Sequence, residues 1–230
     1  MSITPKFHVR GLIEGPDDGQ FMIDAFDASL PQLAAIGSEG QWGSEPFSKR
    51  PTIDKRIEIF EQALRYQLTR EGDPIRLFVI EAEIPSSAVG ELPASVHVRK
   101  DDTGKTLLAV GSVMLSEGIY PHYLRPHFDQ EPIKKELDGT SEYIYLEALI
   151  TDFRTGPWRK GAGAALIEHS RQFCRERGKP ILYGDSYAGN GRKLVKYYEA
   201  QGFRVLDDFE SPIPDGSKWP GAFFRTDVPL

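Results

Sequence analysis

The sequence predicts a single domain of mixed α/β (α+β) class, and three observations predict it. Apolar residues make up 40% and charged residues 27% of 230 residues, enough for a soluble chain with an ample core. Segments with strand-like patterning alternate with segments whose apolar residues recur at three- and four-residue steps. Read along the chain, the order is strand, helices, three strands, helix, strand, helix, strands, with no internal repeat. The length lies a little above the usual domain size, so one domain spanning residues 1–230 is expected, with insertions around 84–104 and 116–141.

Residues 7–13 (FHVRGLI) alternate as a first strand, and the run from Gly15 to Gly19 reads as a turn. Phe21, Met22, Ala25, Phe26 and Leu30 then share a helical spacing, while the Gly/Ser-rich residues 37–48 read as a loop. Ile53, Ile57, Phe60, Leu64 and Leu68 mark an amphipathic helix stopped by Gly72-Asp73-Pro74. Residues 75–82 form a strand. Residues 84–98 are Pro/Ser-rich with a short strand at their end, and a turn at 101–105 precedes an apolar strand at 106–115. Residues 116–140, holding Pro121, Pro126, Pro132 and Gly139, read as an irregular lid or edge insertion. A strong strand follows at 143–151 (YIYLEALIT). Next come a helix within 161–178, a short strand at 180–184, a helix at 190–201 closed by Gly202, and strands at 203–206 and 222–226.

Composition narrows the partners. A net charge of −6 repels phosphate backbones and argues against nucleic acid. No run approaches the roughly 20 apolar residues of a membrane span, and the N-terminus lacks the apolar stretch of a signal peptide. Cys174 is the single cysteine, so nothing points to an oxidising compartment and cytoplasm is the expected location. Cys174 falls on the apolar face of its helix and reads as a buried thiol. His122 and His127 could suit a metal only on a helix, and two nearby prolines argue against one. No metal is therefore expected. The acid pairs Asp101-Asp102 and Asp207-Asp208 read as solvated turns.

The most informative stretch runs from Leu149 to Leu166. A strand enters a loop carrying Arg159, Lys160 and Gly161-Ala162-Gly163, and a helix follows. Amide groups at a helix start are unpaired and partly positive, which suits an anion such as a diphosphate. Glycines allow close backbone approach. Alone, such a stretch is equally a tight turn; a dinucleotide site of the Rossmann type would need a third glycine.

A second stretch, residues 185–203, carries Leu194-Val195-x-x-Tyr198-Glu199-x-x-Gly202-Phe203 after an Ala188-Gly189 turn. Together, in this order, the two stretches resemble the GNAT superfamily of N-acetyltransferases from about residue 143 to 203; the first half matches in the order of its elements. The resemblance implies a GNAT-like acyl-CoA N-acyltransferase fold: a splayed mixed β-sheet flanked by helices, with acetyl-CoA as cofactor. Coenzyme A would lie between the strand ending at Thr151 and the strand starting near Pro180. Its pyrophosphate would sit on the amides of Trp158, Arg159, Lys160, Gly161, Ala162, Gly163 and Ala164. The backbone of Leu149, Ile150 and Thr151 would bond the pantetheine arm, and Asn190 and Lys193 would lie near its far end. The family prefers Gln or Arg where Trp158 stands, and the loop between Thr151 and Gly161 is longer than usual.

The implied reaction is direct acetylation of a primary amine, on a small molecule or peptide, in a ternary complex. Tyr198 is the candidate general acid, with Tyr197 as a substitute and a packing role as the alternative. Glu147 is the candidate base, since alternation places it on one face with Tyr143, Tyr145, Leu149 and Thr151; it could equally bind the substrate ammonium or sit on a solvated edge. Glu39 and Trp42 are candidate acceptor-binding residues, an aromatic beside a carboxylate being able to hold a cation, although Trp42 could instead plug the core. Two alternatives stay open: a non-catalytic acyl-CoA-binding sensor or scaffold, and transfer of a longer acyl chain. Strand edges in this fold leave a homodimer open.

Overall fold

The structure is a computed structural model that describes residues 4–13, 17–127, 130–137, 140–213 and 216–230. In chain order the elements are β1 (Lys6–Gly11), α1 (Asp18–Ala35), α2 (Ile53–Thr69), β2 (Ile75–Ile84), β3 (Val98–Lys100), β4 (Thr106–Glu117), α3 (Glu131–Leu137), β5 (Tyr143–Thr151), α4 (Ala162–Glu176), β6 (Ile181–Tyr187), α5 (Gly189–Ala200), β7 (Arg204–Pro212) and β8 (Lys218–Asp227). Short 3-10 turns fill the connections at Glu39–Gln41, Phe47–Lys49, Ser86–Glu91, His122–His127 and Phe153–Arg159. The fold is thus the mixed, mostly antiparallel sheet with flanking helices that the sequence predicts.

Two compact units divide the chain. The first holds Met1–Gln32, Ser44–Met114 and Ala148–His169; the second holds Leu33–Gly43, Leu115–Glu147 and Ser170–Leu230. In the first unit β1 pairs antiparallel with β2, from Lys6↔Glu83 to Gly11↔Phe78, and β3 pairs antiparallel with β4. Strand β2 is covered on both faces, burying Leu77 and Val79 on one side and Ile80, Ala82 and Ile84 on the other, and α1 buries Phe21, Met22, Ala25 and Phe26. Gly111 in β4 allows a close backbone approach: a methyl group there would stand 2.7 Å from the carbonyl oxygen of Ile150.

Helix α2 packs on β2. Of the stripe expected for it, Ile53, Phe60 and Leu64 are half-buried while Ile57 and Leu68 are exposed, and Ala63 is its buried residue. The Arg56 guanidinium lies over the Phe47 ring at 4.6 Å. Gln67 of this helix accepts from the Leu12 amide at 3.0 Å and also donates to the Leu12 carbonyl, continuing the pairing of β1 beyond its last rung.

In the second unit β5 and β6 run parallel, from Tyr143↔Ile181 to Leu146↔Gly184. Strand β8 lies antiparallel between β6 and β7. Helix α5 packs on β6, β7 and β8, and α3 on β7. An aromatic core of Tyr143, Tyr145, Tyr183, Phe209 and Phe223 fills one face with Leu124 and Ile133.

Several boundaries depart from expectation. Strand β4 continues through Ser116 and Glu117, which the sequence assigns to an irregular segment, and Glu131–Leu137 is helical. Pro132 stands in the first turn of α3, where its missing N–H would have had no helical partner. Pro126 lies near the end of the 3-10 turn at His122–His127. Strand β7 runs on to Pro212 through Asp207 and Asp208, which are therefore not a turn; as an edge strand it tolerates charge on its exposed side. The turn at 101–105 forms as expected, its Asp101 carboxylate accepting from the Thr103 and Lys105 amides at 2.9 Å each. Cys174 is fully buried. The expected turn at Gly15–Pro16 lies outside the described residues.

Candidate active site

The loop leaving β5 is built around Asp152. Its side chain is fully buried and accepts from the Arg154 amide at 3.0 Å and from the Arg154 guanidinium at 2.9 Å. Arg154 also reaches Asp24 at 3.3 Å and the Ser95 carbonyl at 2.9 Å, which pins the loop to α1. Its neighbour Arg159 folds back too, donating to Thr151 Oγ1 at 3.1 Å and lying 3.7 Å over the Phe153 ring; burial lowers its pKa. Of the two cations expected to face an anion here, Lys160 is the exposed one.

Gly161 then takes φ +90°, a left-handed conformation that suits glycine. The first helical bond of α4 runs from the Ala165 amide to the Gly161 carbonyl at 3.0 Å. The amides of Gly161, Ala162, Gly163 and Ala164 therefore occupy the helix start, where no intrahelical acceptor exists for them. Gly161 is exposed, Trp158, Gly163 and Ala164 are half-buried, and Ala162 is buried. In β5, Ile150 is buried while Leu149 and Thr151 are half-buried.

The second unit gathers the groups suited to proton transfer. Leu146 pairs with Gly184 at the end of the parallel register of β5 and β6, and Glu147 and Asp185 are the next residues on the two strands. The two carboxyl groups thus occupy equivalent next positions on parallel strands and share the face of Tyr145 and Tyr183. Ser116 Oγ stands 2.6 Å from Glu147 Oε1 and 3.0 Å from the Ile119 carbonyl. One hydroxyl proton cannot serve both. When Glu147 is neutral it donates to Ser116, which donates to Ile119; when Glu147 is charged, Ser116 turns its proton to the carboxylate. Burial pushes the Glu147 carboxyl up to about 7, opposed by the Ser116 hydrogen bond and assisted by the charge of Asp185.

Asp185 is held by two phenols. Tyr123 donates to its Oδ1 at 2.7 Å, and Tyr145 donates to the same oxygen. Burial raises its carboxyl to about 6 against those two bonds. Sequence reasoning missed Asp185, Tyr123 and Ser116. The signal for Asp185 is an acid inside the otherwise apolar β6 segment, on the face that alternation assigns to Tyr183.

Tyr198 is buried on α5, its ring 4.6 Å from Phe224 in a stacked arrangement and 5.5 Å from Phe203 edge-on. Burial raises its hydroxyl far above the ordinary range, with the charges of Tyr197 and Asp185 adding to the rise. Asn190, Gly191 and Arg192 all adopt positive φ at the start of α5. The Asn190 side chain donates to the Ile36 carbonyl at 2.8 Å and to Ser38 Oγ at 2.6 Å, so it anchors the loop that carries Glu39 and Trp42. Trp219 donates to the Gln41 carbonyl of that loop at 3.1 Å. Glu39 and Lys193 are exposed and Trp42 is half-buried. Among the described residues no group of three or more His, Cys, Asp or Glu could hold a metal ion, and no helix is long and apolar enough to cross a membrane.

This architecture is the GNAT acetyltransferase fold. An acetyltransferase assigned to the GNAT family from Desulfovibrio desulfuricans superposes with a TM-score of 0.53 at 11% identity, over 97% of this chain and 100% of that one. An assigned acetyltransferase from Staphylococcus epidermidis gives 0.54 at 13% identity, over 97% and 100%. A structure described as a phosphinothricin N-acetyltransferase gives 0.53 at 14% identity, over 98% and 100%. No protein-family model matches the sequence, and no curated protein matches it.

Proposed function

We propose that the chain is an acetyl-CoA-dependent N-acetyltransferase acting on a primary amine of a small molecule or peptide, with residues 1–230 working as one GNAT-like domain that carries insertions around 84–104 and 116–141. The observation that carries the reading is Glu147: a largely buried carboxyl that titrates near neutrality, as a base for an amine needs. The helix start at Gly161–Ala164, with the exposed Lys160 beside it, fits a diphosphate by its unpaired amides and its charge. Trp158 and Arg159 belong to the same loop, and the backbone of Leu149, Ile150 and Thr151 is assigned to the pantetheine arm. Asn190 and Lys193 are assigned to the far end of the cofactor, and Glu39 and Trp42 to the acceptor.

Bound acetyl-CoA supplies a thioester whose carbonyl carbon the amine attacks, so that a C–N bond forms, the C–S bond breaks and coenzyme A leaves as its thiol. Glu147 takes the proton that the acceptor nitrogen must lose. Ser116 follows by turning its hydroxyl, so the new O–H of Glu147 has an acceptor ready. Tyr198 keeps its proton throughout the neutral range and is the group assigned to protonate the leaving sulfur.

The test pairs calorimetry of coenzyme A binding with thiol release from acetyl-CoA across a panel of amines. Binding together with release for at least one amine is expected. Absence of coenzyme A affinity would refute the reading. Affinity without release for any amine would favour the non-catalytic acyl-CoA sensor.

A further inference from the structure

The carboxyl of Glu147 has a second acid beside it that the reaction above does not use. The two stand at equivalent positions one residue beyond the Leu146↔Gly184 rung of β5 and β6, and residues in register on parallel strands point to one face. Both phenolic bonds reach Oδ1 of Asp185, so its Oδ2 receives neither. Tyr145, which makes one of them, is two residues from Glu147 on the same face. Asp185 is thereby fixed in orientation from two directions, by β5 and by the turn at His122–His127.

We propose that Asp185, oriented by Tyr123 and Tyr145, is a positioning residue whose negative charge tunes Glu147 as the proton acceptor. The inference rests on the N-acetyltransferase reading.

The groups acting on Glu147 come from each element around it. Ser116 of β4 bonds it, and Asp185 of β6 repels its charge. Tyr143 and Tyr145 of β5 and Tyr123 of the 122–127 turn all sense the Glu147 charge. Tyr120 stacks on Tyr143 at 4.5 Å, and Tyr198 of α5 senses Asp185. Among the described residues no lysine or arginine contributes to the behaviour of either carboxyl. An acid serving only to hold the core together would be expected to have a cation as partner. Without one, the negative charge of Asp185 instead holds back the ionisation of Glu147.

The test reads Glu147 directly. Carboxyl carbon-13 shifts of Glu- and Asp-labelled protein are followed against pH, the Glu147 signal being assigned by its loss in Glu147→Gln. Asp185→Asn removes a like charge and is expected to lower the Glu147 midpoint by about one pH unit, roughly tenfold in proton affinity. The acid limb of kcat/KM should move with it. Asp185→Glu restores the charge and should restore the midpoint. Tyr123→Phe, at a residue that is 43% exposed, takes one donor from Asp185 and should draw the two midpoints together, Asp185 upward and Glu147 downward. A Glu147 midpoint unchanged in Asp185→Asn overturns the proposal; should that variant not fold, an unchanged midpoint in Tyr123→Phe overturns it. The titration needs no turnover, so absence of acetyl transfer in the wild type would sink the enzyme reading and leave the coupling separately measured.

Discussion

Replacing Glu147 with Gln should change how stability depends on pH. The Glu147 carboxyl rises from an ordinary 4.5 to about 7, chiefly through burial. Below pH 4.5 it is neutral in both the folded and the unfolded chain and contributes no difference. Between 4.5 and 7 the unfolded chain releases this proton while the native chain keeps it, so stability falls as pH rises, by about 1.36 kcal/mol per unit. The fall is complete above the folded pKa, where Glu147 is ionised in both states and the desolvation cost is fully present. Across that rise this amounts to about 3 kcal/mol, less where the partly hydrated carboxyl is screened. Gln has no proton to keep and can still accept from Ser116. The stability of Glu147→Gln relative to wild type should therefore increase by about 2–3 kcal/mol from pH 4 to pH 8. Urea unfolding at half-unit pH steps, followed by tryptophan fluorescence and circular dichroism together, measures it. Parallel stability curves for the two proteins would refute the reasoning, since they would mean that Glu147 ionises as easily folded as unfolded.

Two further outcomes follow from packing. Gly111→Ala places a methyl group 2.7 Å from the Ile150 carbonyl oxygen, a backbone atom that cannot swing away. A loss of about 1–3 kcal/mol is expected in chemical denaturation, and an unchanged midpoint would show that β4 and β5 have room to separate. Cys174 is fully buried and its thiol is pushed up to about 12 by burial. It should resist a disulfide exchange reagent in the native protein and react once denatured; prompt native labelling would show that its helix opens readily.

How much of this was legible depended on which force decides each element. Strand β5 spans the same residues in the structure as in the sequence, because Tyr143, Tyr145 and Ile150 all have apolar surroundings and strand propensity, so local and tertiary preferences agree. Strand β7 was cut short at Leu206 because Asp207-Asp208 carries no strand signal; its pairing with β8 imposes the conformation from outside, with a bulge between Val205 and Asp207. The α2 stripe is met at Ile53, Phe60 and Leu64, which are half-buried, and missed at Ile57 and Leu68, which are exposed, because a helical period does not say how far a face is covered. In the site, Glu147 followed from alternation within one strand. Asp185 did not, because its meaning comes from the register between β5 and β6 and from Tyr123, 62 positions earlier in the chain.

That register also explains why an acid can be tolerated here. Within the paired part of β5 and β6 the facing side chains are Tyr143, Tyr145, Ile181 and Tyr183, which stack and exclude water. An ionised carboxylate among them would cost more than its neighbours could return. One position further on, the apolar stack gives way to hydroxyls: Ser116 for Glu147, and Tyr123 and Tyr145 for Asp185. These donors stabilise charge only partly, so burial leaves both acids above the ordinary carboxyl range, Asp185 at about 6 and Glu147 at about 7. Among the described residues, hydroxyl partners without a cation thus distinguish Glu147 and Asp185 from the buried ion pairs of the first unit, where Glu81 is fixed between Arg10 and Arg99 at 2.9 Å and 2.7 Å. Introducing a cation at Ser116 by Ser116→Lys would convert the first kind of arrangement into the second, with Glu147 permanently charged and its exchange lost.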